Sequence, residues 1–291
     1  MKFSHFNHLL YNRNTIFQLE RGVLISLMDA LLLICLLTFI IHTTETLSYG
    51  IRFAGVLTGR LAVALSLVGI VLLISRTSNL IQGPFTGGLM DQAAISHTDP
   101  SMKLHLIIAA SSLGTLAAIF LFPTFVQLSK RLISHLELAG SIPQMLRTAV
   151  TVDSIRRVRH HVRIPNLQFI SRFRIQGIPK RLLLLNALGT AVYTSSVLAS
   201  LYAILLVPDY KATVLMSSGM INGFATIFMT ILVDPQVALL TEKAMQGQAT
   251  HESIRNMYLW LMISRFFGTI LAQILLVPAA YWVAWLAPLF H

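Results

Sequence analysis

The sequence predicts an all-α integral membrane protein with about six transmembrane helices. Three observations predict it. Of the 291 residues, 55% are hydrophobic and only 11% are charged, against about 25% charged in a soluble domain. The apolar residues fall in runs long enough for a helical span, which needs about 20 residues. The runs are continuous rather than alternating, so helices and not a closed barrel satisfy the backbone in lipid.

Residues 1–27 carry Lys2, Arg13 and Arg21 and little apolar periodicity. No small-residue cleavage site follows the first apolar run, so a signal peptide fits poorly. These residues read as an N-terminal extension, either flexible or preceding a translation start at Met28. Residues 28–126 hold three helices, expected at 30–49, 61–81 and 104–126. Residues 182–291 hold three more, expected at 182–207, 212–233 and 257–286. The one cysteine, Cys35, lies inside the first run and reads as a packing residue.

Residues 127–181 form a basic amphipathic loop. It carries eleven Lys or Arg, from Lys130 and Arg131 through Arg156, Arg157 and Arg159 to Arg181, against Glu137 and Asp153 alone. The positive-inside rule places this loop in the cytoplasm and both termini outside. Arg52, Arg60, Lys243 and Arg255 then fall inside as well. Leu132, Leu136, Met145, Leu146 and Val150 suggest two short amphipathic helices, and residues 155–174 suggest a basic run. The net charge of +11, gathered beside membrane helices, points to anionic membrane lipids and not to nucleic acid. A collar that gathers an anionic substrate is the other reading of the same charges.

The two halves share a layout. An offset of 151 residues brings Thr43 onto Thr194, Ile70 onto Ile221, Pro84 onto Pro235 and Asp91 onto Glu242. Each second helix is expected to end at its proline. Three spans per half would insert the halves in opposite directions, as inverted three-helix repeats around a midplane site.

Ionisable residues inside a span mark a cavity or a partner. His42 and Glu45 lie one turn apart in the first span, Arg76 in the second and Arg265 in the sixth. Counting along helices at about 1.5 Å per residue puts Glu45 and Arg265 in the inner leaflet, where they can pair. The same count puts Arg76 in the outer leaflet, beyond the reach of Glu45. Arg76 with Ser75, Thr77, Ser78, Asn79 and Gln82 suggests a wet cavity that admits an anion; snorkelling to the headgroups is the alternative. Ser218, Asn222 and Thr226 share a face of the fifth helix. Gly219 with Gly223, and Gly55 with Gly59, suggest close helix packing and leave a homodimer open.

No HExxH, GxxxxGK[ST] or GxSxG occurs, which argues against a zinc protease, a P-loop ATPase and a serine hydrolase. His160-His161 lack acids or cysteines nearby, so no metal site and no cofactor are expected.

The stretch ETLSYGIRFAGVLTGR at residues 45–60, followed by SRTSNLIQGPFTGG at residues 75–88, resembles the Amj family of bacterial membrane proteins. The resemblance is close over residues 28–92. Amj proteins are lipid II flippases, an alternate to the MurJ flippases and unrelated to them in sequence. The resemblance implies movement of an undecaprenyl-diphosphate-linked peptidoglycan precursor from the inner to the outer leaflet of the cytoplasmic membrane. It carries over no functional residues. The residue reading adds that Arg265 and Arg76 are successive stations for the diphosphate, with Glu45, His42, Asn79 and Asn222 as further candidates for the substrate site. The other readings are an ion-coupled small-solute transporter using His42 and Glu45 as a proton-carrying pair, an intramembrane enzyme on a polyprenyl phosphate, and a non-catalytic scaffold for cell-wall synthesis.

Overall fold

A computed structural model describes the backbone of residues 3–139 and 178–290, with side chains for 28–136 and 178–290. The helices are α1 (Phe3–Thr58), α2 (Leu61–Ser96), α3 (Ser101–Ala139), α4 (Lys180–Leu206), α5 (Lys211–Leu232), α6 (Asp234–Met245) and α7 (His251–Leu286). Short 3-10 turns lie at Pro208–Tyr210 and Ala287–Phe290, and the described residues contain no strand. Six segments are long and apolar enough to cross a membrane. The expected helix near 145–150, the basic run 155–174 and His160-His161 lie outside the described residues.

Three elements differ from the expectations. Residues 3–27 continue α1 as helix rather than standing apart as a flexible segment. They contain no proline and one glycine, so nothing in the local sequence stops a helix. The apolar part of α1 runs on to Thr58, well past Tyr49. Leu132 and Leu136 belong to the continuing α3, not to a separate amphipathic helix. Pro84 lies inside α2, which runs on to Ser96, whereas Pro235 sits in the first turn of α6. The first-turn position costs a proline no hydrogen bond, and neighbouring helices in a membrane bundle tolerate the other.

Local chemistry sets the turns. Gly59 has φ +69; its N–H bonds Val56 O at 3.2 Å, and Arg60 N bonds Gly55 O at 2.9 Å. That pair of bonds is a Schellman closure, which favours glycine at the left-handed position. Gly247, with φ +74, closes α6 in the same way through Gln248 N to Lys243 O at 2.9 Å. At the opposite end of the bundle, Ser101 donates from both Oγ and N to Asp99, at 2.7 and 3.0 Å. These bonds hold the Asp99 carboxyl below the usual carboxylate range. Their contribution is present at neutral pH and is lost as pH falls through that lowered value.

In each half the first helix packs on the second and the third: α1 on α2 and α3, α4 on α5 and α7. The halves join mainly where α3 meets α7. There His105 Nδ1 pairs with Gln273 Oε1 at 2.7 Å, and Gln273 Nε2 donates back to His105 O at 3.0 Å. A glycine marks the close crossing in each half. A Cβ on Gly114 of α3 would strike the Phe39 carbonyl of α1, and one on Gly268 of α7 would strike the Ala187 carbonyl of α4. By contrast, Gly219 and Gly223 of α5 have no neighbour within 4 Å, so that small-residue pair does not pack here. Among the flanking helices, α2 and α5 are the least buried, and their large apolar side chains, such as Leu80 and Phe224, face outward.

Buried apolar residues form two clusters. One, built around Phe53, Phe122, Tyr258 and Met262, fills the end of the bundle that carries Gly59 and Thr250. The other, around Ile34, Leu104, Ile108 and Leu276, fills the opposite end. Cys35 packs against the second cluster.

Gly114→Ala should cost about 1–3 kcal/mol, because the added methyl meets backbone that cannot step aside. Gly219→Ala should be neutral or stabilising by up to about 1 kcal/mol, since it gains helix propensity in open space. Thermal unfolding of the purified protein in detergent measures both, and equal effects would contradict the crossing geometry.

Candidate functional site

Between the two apolar clusters lies a polar layer. Glu45, Arg76, Tyr193 and Arg265 each stand about 20–22 Å along their helices from the Thr58, Leu61, Lys180 and His251 ends, at about 1.5 Å per residue. Four helices therefore bring a charged or phenolic group to one depth.

The Glu45 carboxylate is the point where they meet. Arg265 Nη2 donates to Oε2 at 2.9 Å. Ser75 Oγ donates to Oε1 at 2.9 Å, and Tyr193 OH donates to Oε1 at 3.4 Å. The ion-paired side chains are 13% and 12% exposed respectively. Below them Asn186 Nδ2 donates to Ser264 Oγ at 2.6 Å and to Leu261 O at 2.9 Å, while its Oδ1 accepts from Tyr49 OH at 3.3 Å. Ser264 precedes Arg265, so this relay fixes the turn of α7 that carries the guanidinium. The Arg52 guanidinium lies over the Tyr49 ring, 5.9 Å from its centroid.

Two cavities adjoin at this layer. The larger, about 490 Å³, is lined by Thr38 and His42 of α1, Arg76, Asn79, Gln82 and Thr86 of α2, Thr194 of α4 and Asn222 of α5. The smaller, about 200 Å³, is lined by Glu45, Arg52, Arg76, Thr226, Thr230, Asp234 and Arg265. Arg76 and Tyr193 line both. The cavities run between α2 and α5, and on this face Leu80, 76% exposed, stands on the rim.

All six residues singled out in the sequence thus border this pair of cavities. His42 is 4% exposed and its Nδ1 has no hydrogen-bond partner among the described residues. Asn222 Oδ1 and Arg265 Nε are likewise unpartnered. Arg76 is exposed within the cavity and has no acidic partner among the described residues. The expected separation of Arg76 from Glu45 and Arg265 by leaflet is corrected. Ser75, the residue beside Arg76, bonds Glu45 directly. The span of α1 runs to Thr58 rather than ending before Arg52, and α7 begins at His251 rather than near Met257, so Glu45 and Arg265 sit deeper than the shorter spans implied. Tyr193, Asn186 and Arg52 were not anticipated as members of the site; Ser75 was expected in the cavity but not as a partner of Glu45. A tyrosine in an apolar run carries no signal of its own; only the distant carboxylate it meets gives it one. The described residues contain no cluster able to hold a metal ion.

Fold and site together define a polytopic helical membrane protein with a cationic cavity at mid-depth, opening between two lightly packed helices. The profile of the Amj family, described as "Alternate to MurJ", matches residues 37–287. The chain is 37% identical over 264 residues to the "Lipid II flippase Amj" of Bacillus subtilis (strain 168), covering 90% of this chain and 98% of that protein. The chain belongs to the Amj family. The similarity extends through the second half, beyond the residues 28–92 that first carried the resemblance. No solved structure matches the chain.

Removing one member of a buried ion pair strands the other and costs about 3–5 kcal/mol. Glu45→Ala and Arg265→Ala should each lose about 3 kcal/mol, the low end, because the pair borders a cavity. The double variant should lose clearly less than the sum. A double-mutant cycle on thermal stability tests this, and strict additivity would mean that the pair is not coupled.

Proposed function

We propose that this chain is a lipid II flippase of the bacterial cytoplasmic membrane, moving the polyprenyl-diphosphate-linked precursor from the inner to the outer leaflet. Its similarity to the Bacillus subtilis flippase supports the reading. The observation that carries the mechanism is Arg76, a cation with no acidic partner among the described residues, at mid-depth in a cavity bordered by α2 and α5. A diphosphate crossing a region of low dielectric loses its hydration and needs cationic hydrogen bonds in exchange. Arg76 supplies them, and Arg265 stands at the same depth behind Glu45.

The gap between α2 and α5 lets the polyprenyl tail stay in lipid while the headgroup occupies the cavity. Thr and Asn side chains on α2, α4 and α5 offer neutral hydrogen bonds to sugar and peptide. The two apolar clusters above and below the polar layer close it against a continuous water path. The task is translocation: binding and release, with no covalent bond broken. The positive charge of segment 127–181 assigns it to the cytoplasmic side, where it suits anionic headgroups, so the end of the bundle bearing Gly59 and Thr250 is the inner end. A closed, narrow cavity would favour a small-solute carrier; the exposed rim at Leu80 favours a lipid-linked cargo.

The test is complementation. The chain is expressed in a bacterium depleted of its own lipid II flippase, and surface exposure of lipid II is followed. Rescue is expected. Arg76→Ala, at normal protein level, should reduce transport by about 10-fold or more, the equivalent of one lost charged hydrogen bond at about 1.5–3 kcal/mol. Arg76→Lys should retain part of it. Full activity in Arg76→Ala would remove the cation from the mechanism, and no rescue by a well-inserted wild-type chain would sink the flippase reading.

A further inference from the structure

Arg265 faces a competition that Arg76 does not. Its Nη2 is held by Glu45 at 2.9 Å, yet its Nε has no partner among the described residues and it lines the cavity beside Arg76. An anion that engages both arginines competes with the Glu45 carboxylate for the charge of Arg265. The charges at this layer then decide the outcome. Empty, the layer holds Glu45 against Arg265 and Arg76. Loaded with a diphosphate diester, which has two negative charges, it would hold two cations against three anions if Glu45 stayed ionised. With Glu45 protonated the charges cancel. A carboxylate left in a buried site without its cation is costlier than the neutral acid.

The remaining partners of Glu45 suit either form. Ser75 and Tyr193 are hydroxyls, which donate to a carboxylate and can equally accept from a carboxylic acid. The titratable or charged groups around Glu45 among the described residues are His42 and Tyr49, each one turn away on α1, Arg76 on α2, Tyr193 on α4 and Arg265 on α7. Arg52 and Asp234 lie in the same smaller cavity toward its inner end.

We propose that Glu45 is a proton-linked counter-ion: a diphosphate docking on Arg265 and Arg76 displaces the Glu45 carboxylate, which takes one proton from water and returns it when the diphosphate leaves. This rests on the flippase reading only in taking a diphosphate as the anion. Its consequence is that the loaded site is close to neutral, which lowers the electrostatic cost of holding it between two apolar clusters.

The experiment uses the full chain purified in detergent and the farnesyl diphosphate diester of N-acetylglucosamine as probe, since such a diester does not itself titrate near neutral pH. Calorimetry in buffers of different ionisation enthalpy gives the protons taken up per probe bound. About one is expected, with affinity falling about 10-fold per unit rise in pH above neutrality. Glu45→Gln should bind without proton uptake, independently of pH, and at least as tightly as wild type at neutral pH. A misfolded variant cannot produce that gain. His42→Gln should keep the uptake. Binding by the wild type without proton uptake, or uptake that persists in Glu45→Gln, would overturn the proposal and leave the flippase reading standing. Uptake lost in His42→Gln but kept in Glu45→Gln would overturn it in favour of the histidine. No binding of the probe to folded wild-type protein, together with failed complementation, would count against both.

Discussion

The structure depends on one carboxylate. Glu45 sits too deep for headgroups to satisfy its charge and is only 13% exposed, so its bonded partners come from other helices. They come from α2, α4 and α7 through Ser75, Tyr193 and Arg265. A polar contact in hydrocarbon specifies more than it stabilises: apolar helices slide and rotate at little cost, but a bonded carboxylate fixes register. The layer of Glu45 is therefore where both halves of the bundle are held in rotation and depth. The glycine crossings at Gly114 and Gly268 serve the same end differently, by letting two backbones approach until only one register fits.

The arrangement reconciles two demands that conflict in a membrane. A polar headgroup needs cations and hydrogen bonds at mid-depth, while the bilayer must stay sealed to ions. Here the charged and phenolic groups that meet across helices gather at one layer, and an apolar cluster lies toward each end. The layer is bordered by α2 and α5, the helices with least burial, and under the flippase reading the headgroup enters past them. Tight packing of α1, α3, α4 and α7 gives a frame, and the two lightly packed helices are the natural candidates to move against it.

What was legible in the sequence follows from how each property is encoded. Hydropathy is a sum over about 20 residues, so six spans could be read directly and all six recur. The ionisable residues were legible one at a time, because a charge in an apolar run is rare. Their mutual geometry was not. Reading Arg52 as the membrane boundary ended the first span at Tyr49. In the structure that arginine lies over the Tyr49 ring and the helix runs on to a Schellman closure at Gly59. That change in the helix end carried Glu45 deep enough to meet Ser75. Gly114 and Gly268 went unremarked because their role depends on a carbonyl in another helix. Gly219 and Gly223 drew notice through spacing alone, yet meet nothing.

The two halves bear on how such a site can face either leaflet. Each packs its first helix on its second and third, each crosses closely at a glycine of its third helix, and three crossings reverse the direction of one relative to the other. The reversal makes α2 and α5, on either side of the cavity mouth, counterparts running oppositely through the membrane. Yet the halves are not copies. The proline of α2 lies within a continuous helix, whereas that of the second half opens the separate α6. Arg76 on α2 is matched at the cavity by the neutral Asn222 on α5. A symmetric pair of cations would hold a diphosphate equally at two positions and favour neither release. A cation from α2 and an amide from α5 make the two walls of the cavity unequal, and under the flippase reading that inequality serves a cargo that has to leave.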